Sequence, residues 1–267
     1  LIIAGVYATL LFFDRPSFGR ALGLGVLWAL AILVRPTALA PFAVIMGVLL
    51  WRKNVRYVLA VLCVPVILVG SWSYYASARY GGFVLTTTVG GYDLWVGNNI
   101  DAKGGFEKTP EIQQAREWHP SIELDRIGKE KYFEFLTEHP FRFIELQFRK
   151  TALYGSLIRP GGYWFHVREY PWHLRVTLLA SLIGTTMLFI GGVAGALQLL
   201  YTRSDFAMRI FLGFTLLQPL SVIPIIVETR YRYPMFPFLA ILAAYYAWQR
   251  PVRKSFLAAA CGLVFVL

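Results

Sequence analysis

The feature of this sequence that most constrains its fold is a set of long apolar runs that contain almost no charge. Residues 206–227 contain one charged side chain, Arg209, and residues 174–201 contain only Arg175, each near the start of its run. A helix needs about 20 apolar residues to cross the ~30 Å hydrocarbon core of a bilayer. Backbone groups in that core must bond to one another, so such runs are expected to be helical.

The apolar runs predict an all-α polytopic membrane protein, with multiple transmembrane helices and one large mixed extracytoplasmic loop. Residues 1–78 and 174–267 would hold the transmembrane helices, and residues 79–173 would form the loop subdomain. Leu1 is not a methionine, and both ends of the chain fall inside apolar runs. We therefore expect the chain to be truncated at both ends. The apolar segments are 1–13, 21–34, 37–51, 57–77, 174–200, 206–227, 234–248 and 255–267.

The distribution of charge predicts the orientation of the chain in the membrane. Four short connectors carry ten basic and two acidic residues, whereas residues 79–173 carry twelve of each. Short basic loops face the cytoplasm, so the long segment is expected outside it. This alternation requires Arg35 and Pro36 to separate two short spans. The net charge of +11 then reflects membrane topology, and we expect no nucleic-acid partner.

The loop is predicted to combine short irregular elements with two helices. Residues 83–89 are rich in β-branched side chains and favour an extended stretch, whereas Gly90-Gly91 and residues 97–99 are typical of turns. Helices are predicted at residues 124–138 and 140–154. The second is amphipathic and is expected to lie on the membrane surface or to pack under the loop.

Two charged elements near segment ends are candidates for anion binding. Arg35, between two apolar segments, either extends its side chain to the interface or clamps an anion on the outer side. Residues 228–234 read ETRYRYP and place two guanidiniums, one carboxylate and two phenols in a short outer connector. A guanidinium binds phosphate through two parallel hydrogen bonds. The alternative is a charged interfacial turn with a local ion pair.

A third element has the side chains that sugars prefer. Residues 90–99 read GGYDLWVGNN and supply carboxylate, amide and aromatic groups that suit sugar hydroxyls and ring faces. The alternative is a structural turn with an aromatic plug. The histidines show no metal-ligand spacing, so no metal site is predicted from them. A phosphate-binding Gly-rich loop and a G-x-S-x-G element are also absent from the sequence.

Taken together, these elements resemble a known superfamily of membrane enzymes. The motifs are LVRPT at 33–37, GYDLWVGNN at 91–99 followed by His139-Pro140, and ETRYRYP at 228–234. Their order and spacing are similar to those of GT-C glycosyltransferases, and the likeness covers nearly all of the chain. The nearest group is the family 39-like bacterial enzymes, related to dolichyl-phosphate-mannose–protein mannosyltransferases and to lipid A aminoarabinose transferases.

The resemblance implies transfer of a sugar from a polyprenyl-phosphate donor to a lipid, glycan or protein acceptor outside the cytoplasm. It also implies a multi-pass protein of a bacterial-type inner or plasma membrane. The donor phosphate would be bound by arginines, and the sugar or acceptor by the side chains of residues 91–99. The donor-phosphate residues would be Arg230, Arg232 and Arg35, with Glu228 and Tyr231 in support. The sugar or acceptor contacts would be Tyr92, Asp93, Asn98 and Asn99.

The resemblance leaves the catalytic carboxylate unassigned, because the family carries it in a loop that would precede Leu1. It implies no particular cofactor, and it is compatible with a divalent metal. The family commonly has Asn where this chain has Asp93, and its Pro-Trp-x-x-Arg-Asn pattern is replaced here by SWSYYA at residues 71–76.

Two other functions stay open from the sequence. An O-antigen ligase or polymerase would use a diphosphate-linked oligosaccharide, whereas the transferase uses a monophosphate-linked monosaccharide. A transporter or flippase would show broken spans with ionisable residues at mid-depth. The charges of this chain lie at segment ends, which favours the enzyme.

Overall fold

The chain is seen in a computed structural model that describes residues 1–156, 171–202, 205–248 and 254–266. These residues form helices joined by short connectors, and they contain no strand. Two 3₁₀ helices within them span Pro36–Ala38 and Thr229–Met235. The α-helices, in chain order from α1 to α12, are Ile2–Asp14, Phe18–Val34, Leu39–Trp51, Val55–Tyr80, Gly90–Gly97, Pro110–Trp118, Ser121–Glu138, Pro140–Gly155, Trp172–Tyr201, Phe206–Leu220, Phe236–Trp248 and Lys254–Val266.

Each of the eight apolar segments contains one helix, which confirms the all-helical prediction. Two described helices, α4 and α9, are long and apolar enough to cross a membrane. Shorter apolar helices of 10–17 residues accompany them at α1, α2, residues 36–51 and α10. Length and composition thus give two candidate spans among the described helices.

The apolar run 206–227 is not one continuous helix. Helix α10 ends at Leu220, and residues 221–225 form turns before the 3₁₀ helix Thr229–Met235. Pro224 explains the break, because its ring would clash with the carbonyl of Leu220 in a continued helix and it has no N–H to donate. The Val222 carbonyl accepts from the Ile225 and Ile226 amides within the segment, whereas the carbonyls of Pro224 and Ile225 have partners outside it.

The largest apolar core among the described residues lies between α1, α2, α3, α4, α9, α10 and α11. Trp28 is at its centre, stacked on Phe214 with ring centroids 5.8 Å apart. The Trp28 Nε1 donates to the Thr9 hydroxyl at 3.3 Å, so its polar atom is satisfied. A Cβ at Gly195 would lie 2.0 Å from the Leu242 carbonyl oxygen, which shows how closely α9 and α11 pack.

In the loop subdomain, the backbones of α5 and α7 are in direct contact. A Cβ at Gly91 would lie 2.0 Å from the Asp125 carbonyl oxygen, and one at Gly128 would lie 2.3 Å from the Gly91 carbonyl oxygen. The Gly91 amide also donates to Asp125 Oδ1 at 2.6 Å. The predicted turn at Gly90-Gly91 is therefore wrong: these residues begin α5, and glycine is required for close helix packing.

The two predicted loop helices are confirmed as α7 and α8, whereas residues 83–89 are irregular and form no strand. Helix α6 was not predicted from the sequence, although its start signal is present. Thr109 precedes it and accepts from the Ile112 amide at 3.3 Å, and Pro110 occupies the first turn.

Helix α8 turns its predicted apolar stripe away from the protein. Phe141 is 86% and Phe148 is 74% exposed, whereas Leu146, Lys150 and Tyr154 on the same helix are buried. Packing under the loop was one of the two placements predicted for this stripe. In the described part of the chain the stripe is instead exposed.

Candidate functional site: a cavity where three sequence motifs meet

The three motifs singled out in the sequence converge on one cavity of about 540 Å³. Its walls come from residues 33–37 at the junction of α2 and α3, from residues 86–94 at the start of α5, and from residues 222–231 after α10. This volume lies within the range of small-molecule sites in proteins. Elements far apart in the sequence thus share one concave surface.

Arg35 lines this cavity at the end of α2. It precedes Pro36, and its extended backbone ends the helix, as the residue before a proline usually does. The guanidinium lies 5.2 Å from the centre of the Tyr231 ring, a cation–π distance. The side chain therefore reaches the ETRYRYP segment, which holds the other two arginines predicted to bind the donor phosphate.

Arg230 approaches the same ring from the ETRYRYP segment. Its guanidinium lies 5.3 Å from the Tyr231 centroid, and its Nε lies 2.5 Å from Glu228 Oε2. Its side chain is 65% exposed, so atoms of the guanidinium other than Nε can meet a ligand. Glu228 and Tyr231 both contact this cation, and their supporting role in phosphate binding stays a prediction.

Asp93 is the only carboxylate among the described residues that line the cavity. It lies in the first turn of α5. Burial raises the pKa of this carboxyl to about 6, the nearby Arg230 opposes that shift, and Glu228 adds to it. Its charge therefore changes near neutral pH.

Arg232 lies inside the protein and does not line the cavity. It is 1% exposed, and its Nη1 donates to the carbonyls of Tyr154, at 3.2 Å, and Ser156. These carbonyls belong to the C-terminal end of α8, so Arg232 ties the 3₁₀ helix to the loop subdomain. A guanidinium in this position fixes the ETRYRYP segment, in contrast to the phosphate role predicted for it.

Of the four residues predicted to contact the sugar or acceptor, the structure brings only Asp93 to the cavity wall. Tyr92 is buried in the apolar cluster between α5, α6 and α7. Asn98 is buried and bonded to backbone and side-chain partners. Asn99 donates to the carbonyls of Trp95 and Val96 at the end of α5. In this arrangement the latter three stabilise the fold of the wall.

Two lysines that the sequence analysis did not select belong to this region. Lys129 lines the cavity and lies 2.5 Å from Asp125 on α7. Lys150 on α8 is fully buried, and burial lowers its pKa to about 7. Neither carries a sequence signal, because both lie in helices of mixed charge, where a lysine is usually exposed.

The cavity combines charge with an apolar surface. Two cations, Arg35 and Lys129, line it with Asp93, and the side chains of Val222, Ile225 and Ile226 form an apolar wall. Such a surface suits an amphipathic ligand with an anionic head. No group of three or more potential metal-ligating side chains occurs in the described ranges, so the divalent metal left open by the sequence has no ligand set there.

Comparisons with known proteins do not add to this description. No family model matches the chain, and neither the curated proteins nor the solved structures searched gave a match. The function is therefore argued from the cavity and the residues around it.

Proposed function

We propose that the chain acts as a polytopic membrane glycosyltransferase, which moves a sugar from a polyprenyl-phosphate donor to a lipid, glycan or protein acceptor outside the cytoplasm. The observation that carries this proposal is the convergence of the LVRPT, GYDLWVGNN and ETRYRYP motifs on one cavity. The resemblance rests on these motifs as sequence patterns. Their proximity in space is a separate observation, and it supports a shared site.

The donor phosphate would lie between Arg35 and Arg230. Both guanidiniums are close to the Tyr231 ring, at 5.2 and 5.3 Å, so they are near each other. The leaving group of such a transfer is a lipid phosphate whose negative charge grows as the sugar departs. Fixed cations stabilise that charge, and guanidinium groups can bind it with two hydrogen bonds each.

The sugar and the lipid chain would occupy different walls of the cavity. Asp93 and the hydroxyls of Thr86 and Thr87 lie on the side formed by the loop subdomain and suit a sugar. Leu33 and Ile226 belong to the apolar surface that a prenyl chain would contact. The base that activates the acceptor hydroxyl is not assigned to a residue in this proposal.

The proposal also requires a membrane arrangement. Helices α4 and α9 would be full spans, the shorter apolar helices would be further membrane-embedded elements, and residues 79–173 would face the outer side. The bilayer would then bring the lipid donor to a cavity formed where the apolar helices meet the loop subdomain. This arrangement would be contradicted by labelling that places Tyr231 on the cytosolic side.

Sugar transfer by the purified protein in lipid nanodiscs tests the proposal. Arg35→Gln removes a guanidinium from the cavity wall, and Arg230→Gln removes the guanidinium beside the cavity at Tyr231. Each variant is expected to lower transfer from a polyprenyl-phosphate sugar at least tenfold. Arg126→Gln is the matched control, because Arg126 is an exposed arginine on α7 that pairs with Glu130 one turn away. Normal transfer by both cavity variants would contradict the proposal.

A transporter remains the second candidate because of one structural observation. The helix in the apolar run 206–227 ends at Leu220, and residues 221–228 are not helical. Broken apolar helices are typical of transporter sites. Vesicles separate the two functions. Movement of the lipid-linked sugar across the bilayer without any glycosylated product would favour the transporter. A diphosphate-linked oligosaccharide as the required donor would instead favour the ligase or polymerase.

A further inference from the structure

The segment between α10 and the 3₁₀ helix forms part of the cavity wall although it is not helical. Val222, Ile225 and Ile226 line the cavity, and Glu228 and Arg230 follow directly. A non-helical segment has carbonyl groups that no helix satisfies, and buried carbonyls without partners are unfavourable. The contacts that hold this segment therefore also hold the cavity wall.

Two side chains from the loop subdomain bind these carbonyls. Asn98 Nδ2 donates to the carbonyl oxygens of Pro224 and Ile225 at 3.1 and 3.0 Å. Lys150 Nζ donates to the Ile225 oxygen at 3.0 Å and approaches the Pro224 oxygen at 3.5 Å. Each donor group thus bridges the same two carbonyls, from α5 and from α8 respectively.

The two side chains are also bonded to each other. Lys150 Nζ donates to Asn98 Oδ1 at 2.7 Å, and Gln147 Nε2 donates to the same oxygen at 3.1 Å. Asn98 Nδ2 also donates to the Leu94 carbonyl at 2.8 Å, which fixes the amide against its own helix. Both Asn98 and Lys150 are fully buried, so water does not compete for these bonds.

Lysine is an unusual choice for such a position. In the described part of the chain Lys150 forms no ion pair with a carboxylate, and its hydrogen-bond acceptors are all neutral oxygens. A buried amine without a counter-charge is costly, so it is expected only where its several donors are needed at once. Three oxygens lie within hydrogen-bond distance of Lys150 Nζ, so this one side chain serves several acceptors at once.

Gly97 permits this arrangement. A Cβ at Gly97 would lie 2.0 Å from the Ile225 carbonyl oxygen, so only glycine allows the end of α5 to approach the broken segment. Three residues thus specify the contact: Gly97 and Asn98 at the end of α5, and Lys150 on α8.

We propose that Asn98 and Lys150 are positioning residues of the donor site, which hold residues 222–228 so that the apolar wall and the Glu228–Arg230 pair face the ligand. The inference rests on the proposed function, because the ligand it concerns is the polyprenyl-phosphate donor. Neither side chain touches the cavity. Both act through the two carbonyls that they bind.

Cysteine labelling tests the geometric part of this inference without reference to activity. Val227 is fully buried within the clamped segment, and Val227→Cys is a small change. The two native cysteines, Cys63 and Cys261, are replaced by alanine first. Lys150→Met removes the hydrogen bonds to Asn98, Pro224 and Ile225, and is expected to raise the maleimide reaction rate at residue 227 roughly tenfold or more.

Donor binding and kinetics test the positioning part. Lys150→Met and Asn98→Asp are expected to weaken binding of a polyprenyl phosphate in nanodiscs and to raise the KM for the donor at least fivefold, with a smaller change in kcat. Asn98→Asp keeps the shape of the side chain, so it remains informative if Lys150→Met fails to fold. The carboxylate would lose the bonds to the carbonyls of Leu94, Pro224 and Ile225 and keep the contact with Lys150.

Two controls separate positioning from loss of stability or charge. Gly195→Ala disturbs the packing of α9 against α11, away from the cavity, and is expected to lower stability without changing the donor KM. Lys131→Met removes a partly exposed lysine that pairs with Glu134 on α7, and is expected to change neither quantity.

The outcomes distinguish this inference from the proposed function. Unchanged labelling at residue 227 in both clamp variants would overturn the clamp itself. Increased labelling with unchanged donor binding would overturn its positioning role. Absence of sugar transfer by the wild-type protein would instead count against the glycosyltransferase function, and the labelling result would still decide whether the clamp exists.

Discussion

Arg230 and Arg232 are two residues apart, yet their surroundings give them different roles. Replacing each by methionine should separate a role in ligand binding from a role in stability. Arg230 is largely exposed beside the cavity, whereas Arg232 is buried and bonded to two carbonyls of α8. Methionine keeps most of the side-chain length and removes the charge and all donors.

The expected loss of stability differs by several kcal/mol. Each hydrogen bond from a charged group contributes about 1.5–3 kcal/mol, so losing the bonds to Tyr154 and Ser156 in Arg232→Met is expected to lower the free energy of unfolding by about 3–6 kcal/mol. The exposed Arg230–Glu228 pair is expected to contribute less than ~1 kcal/mol. Donor affinity should show the reverse order, with at least a tenfold loss in Arg230→Met.

Unfolding in mixed detergent micelles, followed by tryptophan fluorescence, measures the first quantity, and polyprenyl-phosphate binding in nanodiscs measures the second. Size-exclusion chromatography checks that each variant is monodisperse before either assay. If Arg232→Met retained wild-type stability and lost only donor binding, Arg232 would be a ligand, and the inference from its burial would be wrong.

Three further predictions concern other parts of the chain. Burial raises the pKa of Asp93 to about 6, so its negative charge is lost as pH falls from 7 to 5, and affinity for the phosphodiester donor should rise in that direction. Asp93→Asn should abolish this pH dependence. An unchanged pH profile in Asp93→Asn would contradict the assignment. Gly195→Ala should cost about 1–3 kcal/mol because its Cβ would meet Leu242 at 2.0 Å, whereas Gly184→Ala on the same helix has open space and should cost nothing, as chemical unfolding can measure. A fluorophore on Phe148→Cys should be quenched by brominated lipids if the exposed stripe of α8 lies on the bilayer, and absence of quenching would place that stripe in water.

The helices of this chain could be predicted because the signal for each is local. An apolar run needs no knowledge of its neighbours to be recognised, and every predicted run contains a helix. The end of α10 at Leu220 was missed because the run 206–227 stays apolar beyond it, so that only Pro224 marks the break. The Gly90-Gly91 pair was misread because a turn and a close helix contact both require glycine.

The site could be predicted at the level of motifs and not of side chains. Consecutive residues of a 3₁₀ helix rotate by about 120°, so two steps leave Arg230 and Arg232 pointing in directions about 120° apart. The sequence does not show which direction faces the cavity. Asn98 was assigned to the sugar for a similar reason: an amide suits a hydroxyl and a backbone carbonyl equally, and only the broken segment after α10 decides between them.

The shared ring of Tyr231 has a consequence for ligand selectivity. Arg35 and Arg230 both lie near this ring, and their like charges repel each other. A neutral molecule leaves that repulsion in place, whereas an anion replaces it with two attractions. A lipid carrying a free hydroxyl in place of its phosphate should therefore be rejected, even when its hydrocarbon chain fits the apolar wall as well.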